Sequence, residues 1–232
     1  MKRKDFLRKG FIGLSSIVAV PTLLDSCKKK DNEDTMTTNG CIISPTETKG
    51  PFPIKTPAQL VQANIVSDRT GVALLVILTI QNKNTSCLPL QGALVDIWHC
   101  DKEGNYSEYG GTNMQTTDYT NVHFLRGRQT TDANGQVSFI SIYPGWYSSR
   151  APHIHLEILS STGTSLLVTQ IAFPEDISKQ VYSSNLYASH GQADTANSTD
   201  NVFSDSLANN MGSITGNVND GFTLTKTIVV SA

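Results

Sequence analysis

QVSFISIYPGWYSSRAPHIHLEIL, residues 136–159, holds two apolar, strand-like runs separated by a turn built on Pro144 and Gly145. The first run, 136–142, follows TDANG (131–135), whose Asn134-Gly135 pair is a strong turn signal. The second, HIHLEIL (153–159), alternates, so His153 and His155 face one way and Ile154 the other. Working outward, VALLVILTI (72–80), GALVDIW (92–98), LLVTQIAF (166–173) and FTLTKTIVV (222–230) read the same way. EDISKQVYSSNLYASH (175–190) is the one stretch of any length that could be a helical insertion, and TANSTDN (195–201) is a polar loop. Short strands punctuated by Gly, Asn and Pro predict an all-β chain. The expected architecture is a β-sandwich of mostly antiparallel strands with long loops, the place where a site would be assembled.

The 232 residues, 38% hydrophobic and 16% charged, suit one all-β domain and exclude wholesale disorder. A net charge of −2 provides no basic field for nucleic acid. MKRKDFLRKG followed by FIGLSSIVAVPTLL is a basic region and then an apolar stretch too short to span a membrane comfortably, and reads as an export signal over 1–26. Arg3-Lys4 resembles a twin-arginine signal with one arginine replaced, and LDSC resembles a lipoprotein box that would lipidate Cys27. Residues 27–40 then form a flexible tether and 41–232 the domain. The expected location is the periplasm or cell envelope, with lipid attachment through Cys27. Cys41, Cys87 and Cys100 remain, enough for one disulfide, and their spacing does not choose the pair.

Two histidines at i and i+2 of a strand can reach one metal ion. Arg150 stands three residues before His153, near enough to set a cation beside a metal-bound anion, and Tyr147 sits on the turn that feeds the strand. A second tyrosine pair, Tyr106 and Tyr109, follows the strand ending in Trp98.

Five ordered segments resemble the intradiol ring-cleavage dioxygenases, such as protocatechuate 3,4-dioxygenase and catechol 1,2-dioxygenase. They are SPTETKGPFPI (44–54), PLQGALVDIWHCDKEGNYS (89–107), FLRGRQTTDANGQVSFISIYPGWYSSRAPHIHLEI (124–158), TQIAFPED (169–176) and LYASHGQADT (186–195). The resemblance covers roughly residues 41–204. It implies Fe(3+) held by Tyr106, Tyr147, His153 and His155, with Arg150 beside the substrate and Gln170 near the oxygen pocket. It also implies a catechol-type aromatic substrate and O2 as partners, ring opening between the two hydroxyls, and a muconate-type diacid product. Phenolates are hard anionic donors suited to Fe(3+), and the metal is what ionises a tyrosine that otherwise titrates near ~10. In the family Tyr147 would be the ligand displaced by substrate, while Tyr106 stays. The extra helical segments of the longer family members have no counterpart here, so the chain looks like a short, exported subgroup with a more open pocket. The sequence assigns neither the particular catechol nor an oligomeric state.

The other candidates have plainer readings. The GxYS context favours Tyr106 over Tyr109; Tyr143 and Trp98 read as packing residues, with the Trp98 indole inside the sandwich. His99 reads as structural, His123 and His190 as peripheral, and Arg126 and Arg128 as structural pairs. The competing function is a non-catalytic exported β-sandwich binding module. Copper or zinc on the two histidines is a third reading, against which the two tyrosines count.

Overall fold

The computed structural model describes residues 41–232, so the export signal over 1–26, the tether over 27–40 and Cys27 lie outside the described residues. The described chain is a sandwich of two sheets. β1 (Ala73–Asn82), β2 (Leu88–Pro89), β5 (Gln136–Ile142), β8 (Ser213–Asn217) and β9 (Gly221–Val230) form the first. The second runs in the order β4 (Arg126–Thr130), β3 (Leu94–Trp98), β6 (His153–Leu159), β7 (Ser165–Ala172). All pairings between these strands are antiparallel except β1 with β9. The apolar run of β1 resolves into alternation: Leu74, Val76, Leu78 and Ile80 are buried, and the residues between them only partly so. They pack against Val95 and Ile97 of β3 and Ile154, Leu156 and Ile158 of β6, the inward residues of the facing sheet.

β6 is buried on both faces. With Ile154, Leu156 and Ile158 turned inward, parity sends His153, His155 and Glu157 to the outer face, where loops cover them. The same parity moves Trp98. Val95 and Ile97 point into the core, so Trp98 lies outside the sandwich interior, opposite His155 in the β3–β6 register.

Three strands carry no apolar alternation and escape a reading by pattern: β2, β4 and β8. β4 holds two arginines because each has a partner. Arg128 stands across from Asp96 of β3 and binds it through Nε and Nη2 at 2.5 and 2.7 Å. The helical expectation over 175–190 shortens to α1 (Glu175–Tyr182), whose first turn carries Glu175 and Asp176, followed by turns to 190. A second short helix, α2 (Leu207–Asn210), precedes β8. The disulfide joins Cys41 to Cys87, closing a separation of 46 residues, and Cys100 is free and buried.

His99 is structural. Its Nδ1–H donates to the Cys100 carbonyl at 2.7 Å, which leaves Nε2 to accept from the Ser141 hydroxyl at 2.6 Å. Burial pushes it from 6.5 down to about 4. The unfolded chain therefore takes up this proton first, and stability that is complete above pH 6.5 is lost as pH falls toward 4. The group accounts for roughly 3 kcal/mol of that loss. Denaturant titrations at neutral pH and near the lower limit should show His99→Gln shrinking the acid loss by about that amount; an unchanged difference would contradict it.

Candidate active site

β5 belongs to one sheet and β6 to the other, so residues 143–152 carry the chain across the end of the sandwich. This crossing delivers Tyr147 and Arg150 to the head of β6, beside His153 and His155. The segment 44–54 lies over the outer face of the second sheet, tied down by Glu47 N–H to the Val168 carbonyl at 2.8 Å and by Gln170 Nε2 to the Thr48 carbonyl at 2.8 Å. The loop after β3 brings Tyr106, whose N–H and C=O are both held by the Gln115 side chain at 2.6 and 2.8 Å. Arg126, fully buried, binds the carbonyls of Phe52 and Ser107 and so joins these two loops. Burial lowers its pKa to about 10, which leaves it charged at neutral pH.

Four rings converge on one spot. His153 Nε2 and His155 Nε2 are 3.0 Å apart, and the Tyr106 hydroxyl is 3.4 Å from His153 Nε2. The Tyr147 ring packs edge-on against both Tyr106 and His153, at centroid distances of 5.8 and 5.6 Å. Trp98 stacks flat on His155 at 5.0 Å and Phe52 on Tyr106 at 4.8 Å, so each of these rings is fixed from behind. Tyr109 is turned away and donates to the Pro53 carbonyl at 2.8 Å. His123 pairs with Glu108, and His190 binds the Trp146 carbonyl; neither joins the cluster.

The donor set suits a cation. Burial, reinforced by the Arg150 charge, pushes His153 down to about 3; burial and the neighbouring His153 hold His155 well below the ordinary imidazole range. Both rings are therefore neutral. His153 Nδ1–H donates to the Ala151 carbonyl at 2.6 Å, which fixes the tautomer and leaves a lone pair on Nε2. Burial raises both tyrosines, Tyr106 strongly and Tyr147 against the lowering effect of Arg150, so the protein alone does not ionise them. Among the described residues no three His, Cys, Asp or Glu side chains form a metal cluster, so a metal on these histidines would draw on the phenols.

Arg150 is the hub beside the rings. Its Nε binds both oxygens of Asp200 at 2.8 and 3.1 Å, Nη2 binds Gln170 Oε1 at 2.6 Å, and Nη1 faces the Tyr147 hydroxyl at 3.4 Å. Asp200 is fully buried and also accepts from the N–H groups of Ala151 and Val202. In the sequence Asp200 is one polar residue of a polar loop, and nothing there marks it. Phe52 and Gly50 likewise act through packing that only the fold reveals. A cavity of about 580 Å³ opens beside Tyr147 and Arg150, lined also by Thr48, Met114, Thr199 and Val202.

Gly50 has φ +67°, and a Cβ there would lie 2.8 Å from His155 Cε1. Gly50→Ala should therefore displace the His155 ring and weaken metal binding about tenfold, read by metal titration. Unchanged affinity would mean that the ring does not need this close fit.

A family model described as "Dioxygenase" matches residues 49–198. A chlorocatechol 1,2-dioxygenase from Rhodococcus opacus is 30% identical over 113 residues, covering 40% of this chain and 41% of the relative. A protocatechuate 3,4-dioxygenase beta chain from Burkholderia cepacia is 33% identical over 96 residues, covering 38% of this chain and 40% of the relative. The match thus spans about two fifths of each relative's length. Among solved structures, an intradiol ring-cleavage dioxygenase from Tetranychus urticae superposes with a TM-score of 0.74 at 31% identity, covering 82% of this chain and 95% of that one.

Proposed function

The chain belongs to the intradiol ring-cleavage dioxygenase family, and from that premise we propose that it holds Fe(3+) on Tyr106, Tyr147, His153 and His155 and opens a catechol-type ring between its two hydroxyls. The observation that carries this reading is the convergence of two neutral imidazoles, with Nε2 atoms 3.0 Å apart, and two phenols that need a cation to ionise. When bound, ferric iron would supply the charge that ionises the phenols and the chelated catechol, and the electron-accepting character that opens the ring to dioxygen.

The protein's own residues divide the remaining work. Tyr106 is fully buried and stacked on Phe52, so it stays in place. Tyr147 is only half-buried, on the crossing between sheets, and lines the cavity. It is the phenol that can swing outward and take a substrate hydroxyl proton at Oη, with Arg150 Nη1 at 3.4 Å placed to donate to that oxygen. Gln170 and Asp200 hold the guanidinium so that its remaining face meets the substrate ring, where negative charge would develop. Chlorocatechol and protocatechuate, named in the two relatives, share the catechol unit. Export completes the proposal; the Cys41–Cys87 disulfide is in keeping with an oxidising compartment.

The test is to supply a panel of catechols with isotopically labelled dioxygen. The expected result is one O2 consumed per ring, both atoms retained in a muconate-type diacid. Oxygen uptake without ring opening, or none with any catechol, would contradict the reading.

A further inference from the structure

The lining of the cavity at the mouth of this site distinguishes one class of catechol from another. Arg150 is its only charged lining residue among the described residues, and that charge is already answered by buried Asp200 at 2.8 Å. Lys49, next to two lining residues in sequence, is paired with Glu157 at 2.6 Å. Two of the lining hydroxyls have given their protons to the protein. Ser148 donates to Asp194 at 2.8 Å and Thr199 to the Ala196 carbonyl at 3.2 Å, so both present lone pairs to the cavity. Asp194 also receives the Ser149 N–H, which sets a carboxylate against the rim from behind. A carboxylated substrate would lose its hydration there and meet these two acceptors and an acidic neighbour, with no free cation to answer its charge. An alcohol or amide on the substrate would find acceptors for its protons. The volume of about 580 Å³ falls in the range of about 300–1,000 Å³ that holds drug-sized ligands, well beyond a single unsubstituted ring.

We propose, resting on the dioxygenase reading above, that the substrate is a catechol bearing an uncharged arm with hydrogen-bond donors, and that this lining selects against carboxylated catechols. The test uses the full chain loaded with ferric iron and three probes: catechol, the same ring with a hydroxyethyl arm, and the same ring with a carboxymethyl arm. Affinity is read by anaerobic calorimetric titration and turnover by kcat/KM in air. The hydroxyethyl probe should bind at least as tightly as catechol and about tenfold or more tighter than the carboxymethyl probe, with kcat/KM in the same order. Thr199→Lys, which brings a cation to the rim, should narrow the gap between the two armed probes. Equal or tighter binding of the carboxymethyl probe, or tighter binding of bare catechol than of the hydroxyethyl probe, would overturn the proposal. If iron is held and none of the three binds, the dioxygenase reading itself fails, and this inference with it.

Discussion

His155→Leu is expected to leave the metal-free protein about as stable as the parent while weakening ferric-iron binding at least about a hundredfold. The two effects separate because His155 fits its surroundings poorly as a structural residue. It is almost wholly buried, its Nδ1 has the Thr48 backbone nearby but makes no well-formed hydrogen bond, and its Nε2 abuts that of His153 at 3.0 Å. A buried polar atom without a partner costs about 1–3 kcal/mol, which leucine removes. Against that, the flat stack on Trp98 is lost, worth about 0.5–1.5 kcal/mol beyond its area. The terms nearly cancel, so the melting temperature of the metal-free protein should move little, while metal titration should show the large loss. If the variant melted far lower and still bound iron like the parent, His155 would be a packing residue and the assignment would be wrong.

Arg150→Ala should lower kcat about a hundredfold or more and destabilise the fold by about 2–4 kcal/mol. The stability loss arises at Asp200, which the change leaves fully buried with two backbone N–H donors and no cation. The catalytic loss arises at Tyr147 and the substrate ring, which lose the donor held at 3.4 Å. Adding Asp200→Asn to Arg150→Ala removes the unpaired charge. The double variant should therefore recover most of the stability, by denaturant titration, and none of the rate. Recovery of both would mean that Arg150 serves only to neutralise Asp200.

Much of this was legible in the sequence because the signals are local. The strands at 136–142 and 153–159 have their alternation and turn residues in one window, and the structure gives them the same bounds. Tyr147, Arg150, His153 and His155 fall within nine residues, so their neighbourhood could be read along the chain. What was illegible depends on partners distant in sequence. β4 is a strand because Asp96 lies across from Arg128 and because loop carbonyls 19 and 74 residues away receive Arg126. Trp98 read as interior because it is large and apolar. Parity with Val95 and Ile97 puts it on the outer face, and the loop bearing Phe52 covers that face. Asp200 stands in a polar loop and becomes important only by meeting an arginine fifty residues earlier. The disulfide is of the same kind, since three thiols leave the pair open until the fold brings Cys41 beside Cys87.

The most direct test of the central claim is the visible spectrum of the purified protein loaded with ferric iron, recorded before and after a catechol is added without oxygen. A burgundy tyrosinate-to-iron band is expected, weakened in both Tyr106→Phe and Tyr147→Phe and shifted when the catechol binds. A protein that stays colourless and retains no iron after reconstitution would contradict the claim.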